Sequence, residues 1–234
     1  MEIKRLVIYF LLGALSCLTL AFLYWRYIWF FRNPQRKIPE GTGLVSPADG
    51  TVVYVRHLQP NEDVITIKKG VKATVSDIVR EDSSSPKIVI GIFMSPFNVH
   101  YNRIPLSGRV QFVRHHPPLL KNFHMSSMHW RTIIRRLPLY ENSLHIIQNE
   151  RTVTRLEANY RGNDVSCYLV QIAGGSVRGI ESFVEPGREI DRGAIFGRIK
   201  IGSQVDLVVT WIEGMQTKVK PGDKVRAGET VLVE

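Results

Sequence analysis

From Ser83 to Tyr140 the chain contains no aspartate or glutamate, while Lys87, Arg103, Arg109, Arg114, Lys121, Arg131, Arg135 and Arg136 all fall in that stretch. Acid is scarce throughout: 21 Asp+Glu face 31 Lys+Arg, for a formal net charge of +10 over 234 residues. That balance favours anionic partners. Cysteine is nearly absent. Cys17 and Cys167 lie far apart in unlike contexts, which excludes a disulfide framework and a cysteine zinc site and fits a reducing compartment. Helical periodicity is missing from most of the chain, which argues against alternating strand and helix units. Long apolar runs are missing too, with one exception at the N-terminus.

That exception, Leu6 to Trp25, holds no charge. At about 1.5 Å rise per residue, a helix of this length spans a hydrocarbon core of roughly 30 Å. It reads as a membrane anchor rather than a cleaved signal peptide, because Arg26, Arg32, Arg36 and Lys37 follow it where a small-residue cleavage site would stand. Tyr24 to Phe31, YWRYIWFF, supplies the aromatic belt of a bilayer exit. The basic residues after the run outweigh Lys4 and Arg5 before it, so the positive-inside bias puts the remainder in the cytoplasm. A bent helix that never crosses would show the same pattern. The expected division is an anchor with its interfacial segment over 1–33 and a body over 34–234.

In the body, short apolar runs such as TVVYV, KIVIGIFM, CYLVQIA and VDLVVTWI are separated by Gly, Pro, Asn and Asp. Their spacing predicts a mainly β (α+β) body, a barrel or sandwich, with helix restricted to Val75–Glu81 and to residues 119–137, the latter a helix or a loop. EPGREIDRGAIFGRI from Glu185 and KPGDKVRAGETVLV from Lys220 superimpose at a constant offset. The pattern resembles the hammerhead hairpins of biotinyl and lipoyl carrier domains, but Gln216 stands where the modified lysine belongs. A carrier role fails, and a barrel-sandwich hybrid remains.

Three segments carry chemistry. Ser46-Pro47-Ala48-Asp49-Gly50 puts an aspartate in a tight turn before a strand. Phe93 to Val110 presents Asn98, His100, Asn102 and Arg103 where a strand breaks at Pro96. Gly202-Ser203 interrupts what would otherwise be one strand, the mark of a bulge or a close backbone approach. Gly175-Ser176 is a second Gly-Ser pair.

Taken in order after F-F-R-N-P, S-P-A-D-G, F-M-S-P-F-N-V-H-x-N-R-x-P-x-S-G and F-G-x-I-x-x-G-S resemble the phosphatidylserine decarboxylase family in its short form. The resemblance implies a membrane-bound proenzyme that cuts itself between Gly202 and Ser203 into chains 1–202 and 203–234. It implies that Ser203 becomes a covalent pyruvoyl cofactor forming a Schiff base with the substrate amine, and that phosphatidylserine loses CO2 to give phosphatidylethanolamine. By the same resemblance Asp49 and a histidine are processing partners. The longer family form carries H-x-x-H-x-P, whereas this chain reads His100-Tyr101-Asn102-Arg103-Ile104-Pro105. His100 matches the first histidine, and Arg103 replaces the second. Either His100 serves both steps or another of the seven histidines fills in. Arg103, a permanent cation, is a candidate for the substrate carboxylate or phosphate, with Asn98 and Asn102 beside it. Gln204 and the stretch AGGSVRGI also depart from the short form.

His115, His116, His124 and His129 lie in the acid-free stretch with no carboxylate or cysteine near them, so no metal is expected. No nucleic-acid recognition pattern is present. The expected partners are a phospholipid substrate, the membrane and the two chains of one precursor; a homo-oligomer is compatible. Two other readings stand beside the first. One is a non-catalytic membrane-anchored hybrid barrel, and the other a decarboxylase of a related serine lipid such as archaetidylserine.

Overall fold

A computed structural model describes residues 2–60, 62–68, 70–81, 85–175, 179–200 and 202–234. The chain divides into two units, Met1–Pro34 and Gln35–Glu234. In the first, helix α1 covers Glu2–Tyr24 and a π-helical turn continues it over Trp25–Trp29. The span Glu2–Trp29 is long and apolar enough to cross a bilayer. At its end Arg32 lies over the Trp29 ring, 4.2 Å from the centroid, a cation paired with an amphipathic aromatic as at a bilayer exit.

The second unit is built of strands. In chain order they are β1 (Leu44–Val45), β2 (Gly50–Leu58), β3 (Asp63–Lys68), β4 (Val71–Thr74), β5 (Lys87–Met94), β6 (Tyr101–Arg103), β7 (Gly108–His116), β8 (Arg151–Tyr160), β9 (Asn163–Ala173), β10 (Ile180–Ser182), β11 (Glu189–Ile190), β12 (Ile195–Ile199), β13 (Ser203–Thr210), β14 (Lys224–Val225) and β15 (Val231–Val233). Helices α2 (Val75–Val79), α3 (Ser126–Ile134) and α4 (His145–Gln148) are short. Helix α3 falls within the 119–137 candidate, and α2 within Val75–Glu81. Thr74 opens α2 with a capping box, its hydroxyl accepting from Asp77 N while the Asp77 carboxylate accepts from Thr74 N.

Eight strands form one antiparallel sheet in the order β11-β7-β8-β9-β13-β5-β2-β14. Its middle strands are apolar at consecutive positions because both faces are buried. One face packs Ile88, Ile90, Ile92, Leu169, Val205 and Leu207 into an inner core. The other packs Val53, Tyr54, Val89, Val170 and Val208 against residues of α2, α3, α4 and the β3–β4 hairpin, among them Ile78, Met128, Ile146 and Ile67. Both edges are two-residue strands, and the turns beyond them converge. A Cβ on Gly228 would lie 3.8 Å from Gly193 Cα, and a Cβ on either glycine would press on Ile38. The sheet therefore curls into a half-barrel, and the mainly β expectation holds.

The convergence is two-fold. Gly187 N and Arg188 O bracket Val110, donating to and accepting from its backbone at 2.7 and 2.9 Å, as Gly222 N and Asp223 O bracket Val52 at 2.8 and 2.9 Å. Gly193 N donates to Ile104 O and Gly228 N to Ser46 O, both at 2.8 Å. Val45 N to Pro105 O is mirrored by Arg103 N to Pro47 O. The C-terminal repeat visible in the sequence thus has a matching pair of partners: Ser46, Pro47, Gly50 and Val52 in one half answer Ile104, Pro105, Gly108 and Val110 in the other.

Candidate active site

Ser203 opens β13 in the middle of the sheet, paired with Met94 of β5 and Ala173 of β9. It is fully buried, and its hydroxyl donates to the Met94 thioether, Oγ to Sδ 3.5 Å. A soft, weak acceptor leaves the serine proton loosely held. Gly202, just before it, takes a left-handed backbone with φ +66, while the space where a Cβ would stand is open. Conformation, not crowding, demands glycine there. Ser176 of the other Gly-Ser pair, with Val177 and Arg178, lies outside the described residues.

Three of the expected residues follow Met94: Asn98 closes the turn, His100 comes just after it, and Asn102 lies on β6. The Asn98 carboxamide oxygen accepts from Ser95 N at 2.8 Å and Ser95 Oγ at 2.7 Å, closing the turn. His100 is fully buried with Nδ1 2.9 Å from the Asn98 carbonyl. A carbonyl can only accept, so Nδ1 carries the proton, and in the neutral ring Nε2 is the basic nitrogen. Asn102, also fully buried, donates to Met94 Sδ at 3.6 Å and accepts from Gln171 Nε2 at 2.8 Å. Ser203 and Asn102 therefore meet on the same methionine sulfur.

Asp49 sits at the turn into β2, its carboxylate held by both oxygens on Arg36 at 2.9 Å and accepting from Ala227 N at 2.8 Å. Glu229 approaches the same arginine at 3.5 Å. Arg103 donates from its guanidinium to the Gly193 carbonyl at 2.7 Å. Its pKa is lowered by burial and by the charge of Arg36, against the opposing pull of Asp49 and Glu229. Gly50 is glycine because a Cβ would lie 2.2 Å from the Phe93 carbonyl oxygen. This close approach seats Asp49 against β5.

Two clefts meet here. The larger, about 690 Å³, is lined by Asp49, Phe93, Ser95, Phe97, Asn98, His129, Ile133, Arg135, Lys224 and Arg226 among others. The smaller, about 180 Å³, is lined by Phe93, Pro96, His124, Met125, His129, Gly175 and Gly202 among others. Phe93 and His129 belong to both walls. His129 Nδ1 is buried with no hydrogen-bond partner among the described residues. Nothing in the sequence separated His129 from the other histidines of its stretch. The structure brings it to the cleft of Asp49 on one side and to that of Gly202 on the other.

The opposite face of β13 holds a network that sequence reasoning missed. Gln204 Nε2 donates to Asp206 at 2.7 Å and to Tyr54 Oη at 3.0 Å, Tyr54 donates to Asp206 at 2.7 Å, and His145 Nε2 lies 3.1 Å from Gln204 Oε1. Burial raises the Asp206 carboxyl to about 6 and lowers His145 to about 4. Fully buried Arg151 donates to the Asn149, Asp77 and Ile78 carbonyls beside it. The signal that was available is the polar pair Gln204 and Asp206, alternating on a strand that is otherwise apolar from Val205 to Val209.

Comparison with known proteins bears on this arrangement. The family model described as phosphatidylserine decarboxylase matches residues 23–233. A phosphatidylserine decarboxylase proenzyme of Chlorobium phaeovibrioides is 35% identical over 88% of this chain and 74% of its own length. One from Chlorobaculum tepidum is 35% identical over 88% and 76%. A Halobacterium salinarum protein carrying the name archaetidylserine decarboxylase proenzyme is 34% identical over 88% and 79%.

Proposed function

The chain belongs to the phosphatidylserine decarboxylase family, and we propose that it is a self-processing carboxy-lyase converting phosphatidylserine to phosphatidylethanolamine and CO2. The observation that carries the reading is the junction at 202–203: a left-handed glycine beside open space, followed at once by a buried serine on the first rung of the central strand. In this reading Ser203 Oγ adds to the Gly202 carbonyl carbon and the amide nitrogen leaves, giving an ester. Loss of the Ser203 α-proton then expels the Gly202 carboxylate, and hydrolysis of the resulting dehydroalanine releases ammonia.

A buried position 203 with free volume beside residue 202 suits a small, uncharged carbonyl, so the residues fit the pyruvoyl group that the family implies. That group supplies the electron sink for the departing CO2. The chain's own residues do the rest. His129, on the wall common to both clefts and beside Gly202 in the smaller one, serves the processing step from the Gly202 side with Asp49 across the larger cleft, in the place that Arg103 leaves without a base. His100, its Nδ1 committed to Asn98, offers Nε2 for proton transfer in decarboxylation. Arg135, Lys224 and Arg226 face the lipid phosphate, with Asn98 at the headgroup end. Asn102 holds Met94 and with it the serine, and Arg103 orders the Asp49 corner. Residues 1–33 hold the body, 34–234, at the membrane. Arg26, Arg32, Arg36 and Lys37 after the helix favour the cytoplasmic side.

Intact mass of the membrane-purified protein tests the reading. Chain 203–234 should carry an N-terminal ketone, and Ser203→Ala should abolish both cleavage and CO2 release. A single uncut chain in active membranes overturns it. His129→Ala should block cleavage, whereas His100→Ala should leave cleavage and lose CO2 release. Assays on phosphatidylserine, archaetidylserine and free serine side by side decide the backbone preference, which the archaeal relative's name raises.

A further inference from the structure

Helix α3 turns its apolar stripe the wrong way for a soluble protein. Met125 and Met128 are buried, but Trp130 and Ile134 are 63% and 48% exposed, and Leu137, one helical step on, is 64% exposed. Ile133 is exposed as well, and Leu120 ahead of the helix is 85% exposed. Apolar residues at spacings of three and four ordinarily face a core. A contiguous exposed set of this kind marks an interaction surface.

The charges around the stripe indicate what covers it. Lys121, Arg135 and Arg136 are exposed, and no carboxylate occurs between residues 83 and 140. Arg131, within the helix itself, is ion-paired with Glu141. The stripe also adjoins the larger cleft, since Ile133 and Arg135 form part of its wall and exposed Phe97 stands on the same cleft. A second copy meeting this face would bring like charges together. An anionic bilayer satisfies both features, because apolar side chains enter the acyl boundary while each surface cation is drawn to the negative leaflet.

We propose that α3 and its flanks dock the catalytic body onto an anionic bilayer, as a membrane contact separate from the N-terminal helix, with the mouth of the cleft at the lipid surface. The identity of the lipid drawn into the cleft rests on the decarboxylase reading; the docking does not.

The test uses the full chain in vesicles of phosphatidylcholine with phosphatidylglycerol, an anionic lipid whose headgroup has no carboxylate to lose. An environment-sensitive fluorophore is placed at Ile134→Cys, or as a control at Asn159→Cys, in a Cys17→Ser background. Nitroxide-labelled lipids should quench position 134 several-fold more than position 159. Lys121→Gln with Arg136→Gln, or high salt, should reduce the difference. Equal quenching at both positions overturns the proposal, as does a cross-linked dimer through position 134, which would mean that a second copy covers the face.

Activity supplies the second arm. Leu120→Ser/Trp130→Ser/Leu137→Ser should still be cut into two chains and should retain turnover on a dispersed short-chain phosphatidylserine, while turnover on bilayer phosphatidylserine falls at least about tenfold. Equal turnover of the variant and the parent on bilayer lipid overturns the proposal. If the parent releases no CO2 from either substrate, the decarboxylase reading fails, and the quenching result still decides docking.

Discussion

The two halves of the curled sheet are built alike and equipped differently. Asp49 and Ser107 occupy equivalent corners: Ala227 N donates to the Asp49 carboxylate at 2.8 Å, and Arg192 N donates to Ser107 Oγ at 2.9 Å. Gly50 and Gly108 are equally crowded, with a Cβ falling 2.2 Å from the Phe93 carbonyl oxygen in one half and 2.5 Å from that of Glu157 in the other. Each half has a cleft beside its glycine. The Asp49 cleft carries Arg135, Lys224 and Arg226, whereas the cleft beside Ser107, about 560 Å³, carries Glu157, Asp164 and Glu189 with Arg109. Backbone geometry thus makes the pocket twice. Side-chain charge makes only one of them attractive to an anion, because an acidic wall repels negative charge. Conformational demands account for what the halves share, and chemistry for what they do not.

The sharpest break of that comparison is Asp49→Asn against Ser107→Ala. The first should slow cleavage and lower turnover roughly a hundredfold or more, the loss expected of a missing acid–base partner. The second should cost about 1 kcal/mol of stability and leave cleavage normal. Gels of the two chains and CO2 release read both. Comparable loss of cleavage from the two would mean that the corners serve the fold alone.

Gly50→Ala and Gly108→Ala should both destabilise by about 1–3 kcal/mol, since each Cβ strikes a neighbouring strand's carbonyl oxygen. Denaturant midpoints should fall alike, while only Gly50→Ala slows cleavage. Identical cleavage kinetics would remove the functional difference between the halves.

A third contrast runs across β13, between the serine face and the buried network behind it. Folded Asp206 holds its proton up to about pH 6, so through this group stability falls as pH rises from its ordinary range to 6. Folded His145 stays neutral down to about pH 4, so through this group stability is lost as pH falls from its ordinary value toward 4. The two slopes oppose. Urea midpoints between pH 4 and 6 should therefore rise with pH in Asp206→Asn and fall with pH in His145→Gln. Parallel slopes in the two variants would refute this account of the network. The smallest effect belongs to Gly187→Ala and Gly222→Ala, both at positive φ in open space, which should each cost about 1 kcal/mol and leave the site untouched.

The fold was legible where local chemistry dictates it. Short apolar runs bounded by turn residues announced the strands, and Pro186-Gly187 and Pro221-Gly222 announced turns whose glycines do adopt positive φ. The matching halves around Ser46–Val52 and Ile104–Val110 were not legible, since they share only Pro, Gly and Val at scattered positions. Gly202-Ser203 stood out through its motif and its place in an apolar strand. His129 did not, because a histidine's neighbours in space are set by how α3 packs, and it was one of seven in the chain. Tyr54, His145, Arg151, Gln204 and Asp206 come from four separate segments, and no spacing rule joins them.

By itself the sequence determined the apolar N-terminal helix, a strand-rich body, and a glycine and serine at the start of an apolar strand, where we propose the cleavage, because hydropathy, turn preference and side-chain reactivity belong to residues and their immediate neighbours. Tertiary structure alone decided which of two similar pockets has the cationic wall, which histidine reaches both clefts, and that α3 presents tryptophan and isoleucine to the outside. Those properties depend on burial and on distances between segments far apart in the chain, which exist only once the sheet has curled and brought its edges together.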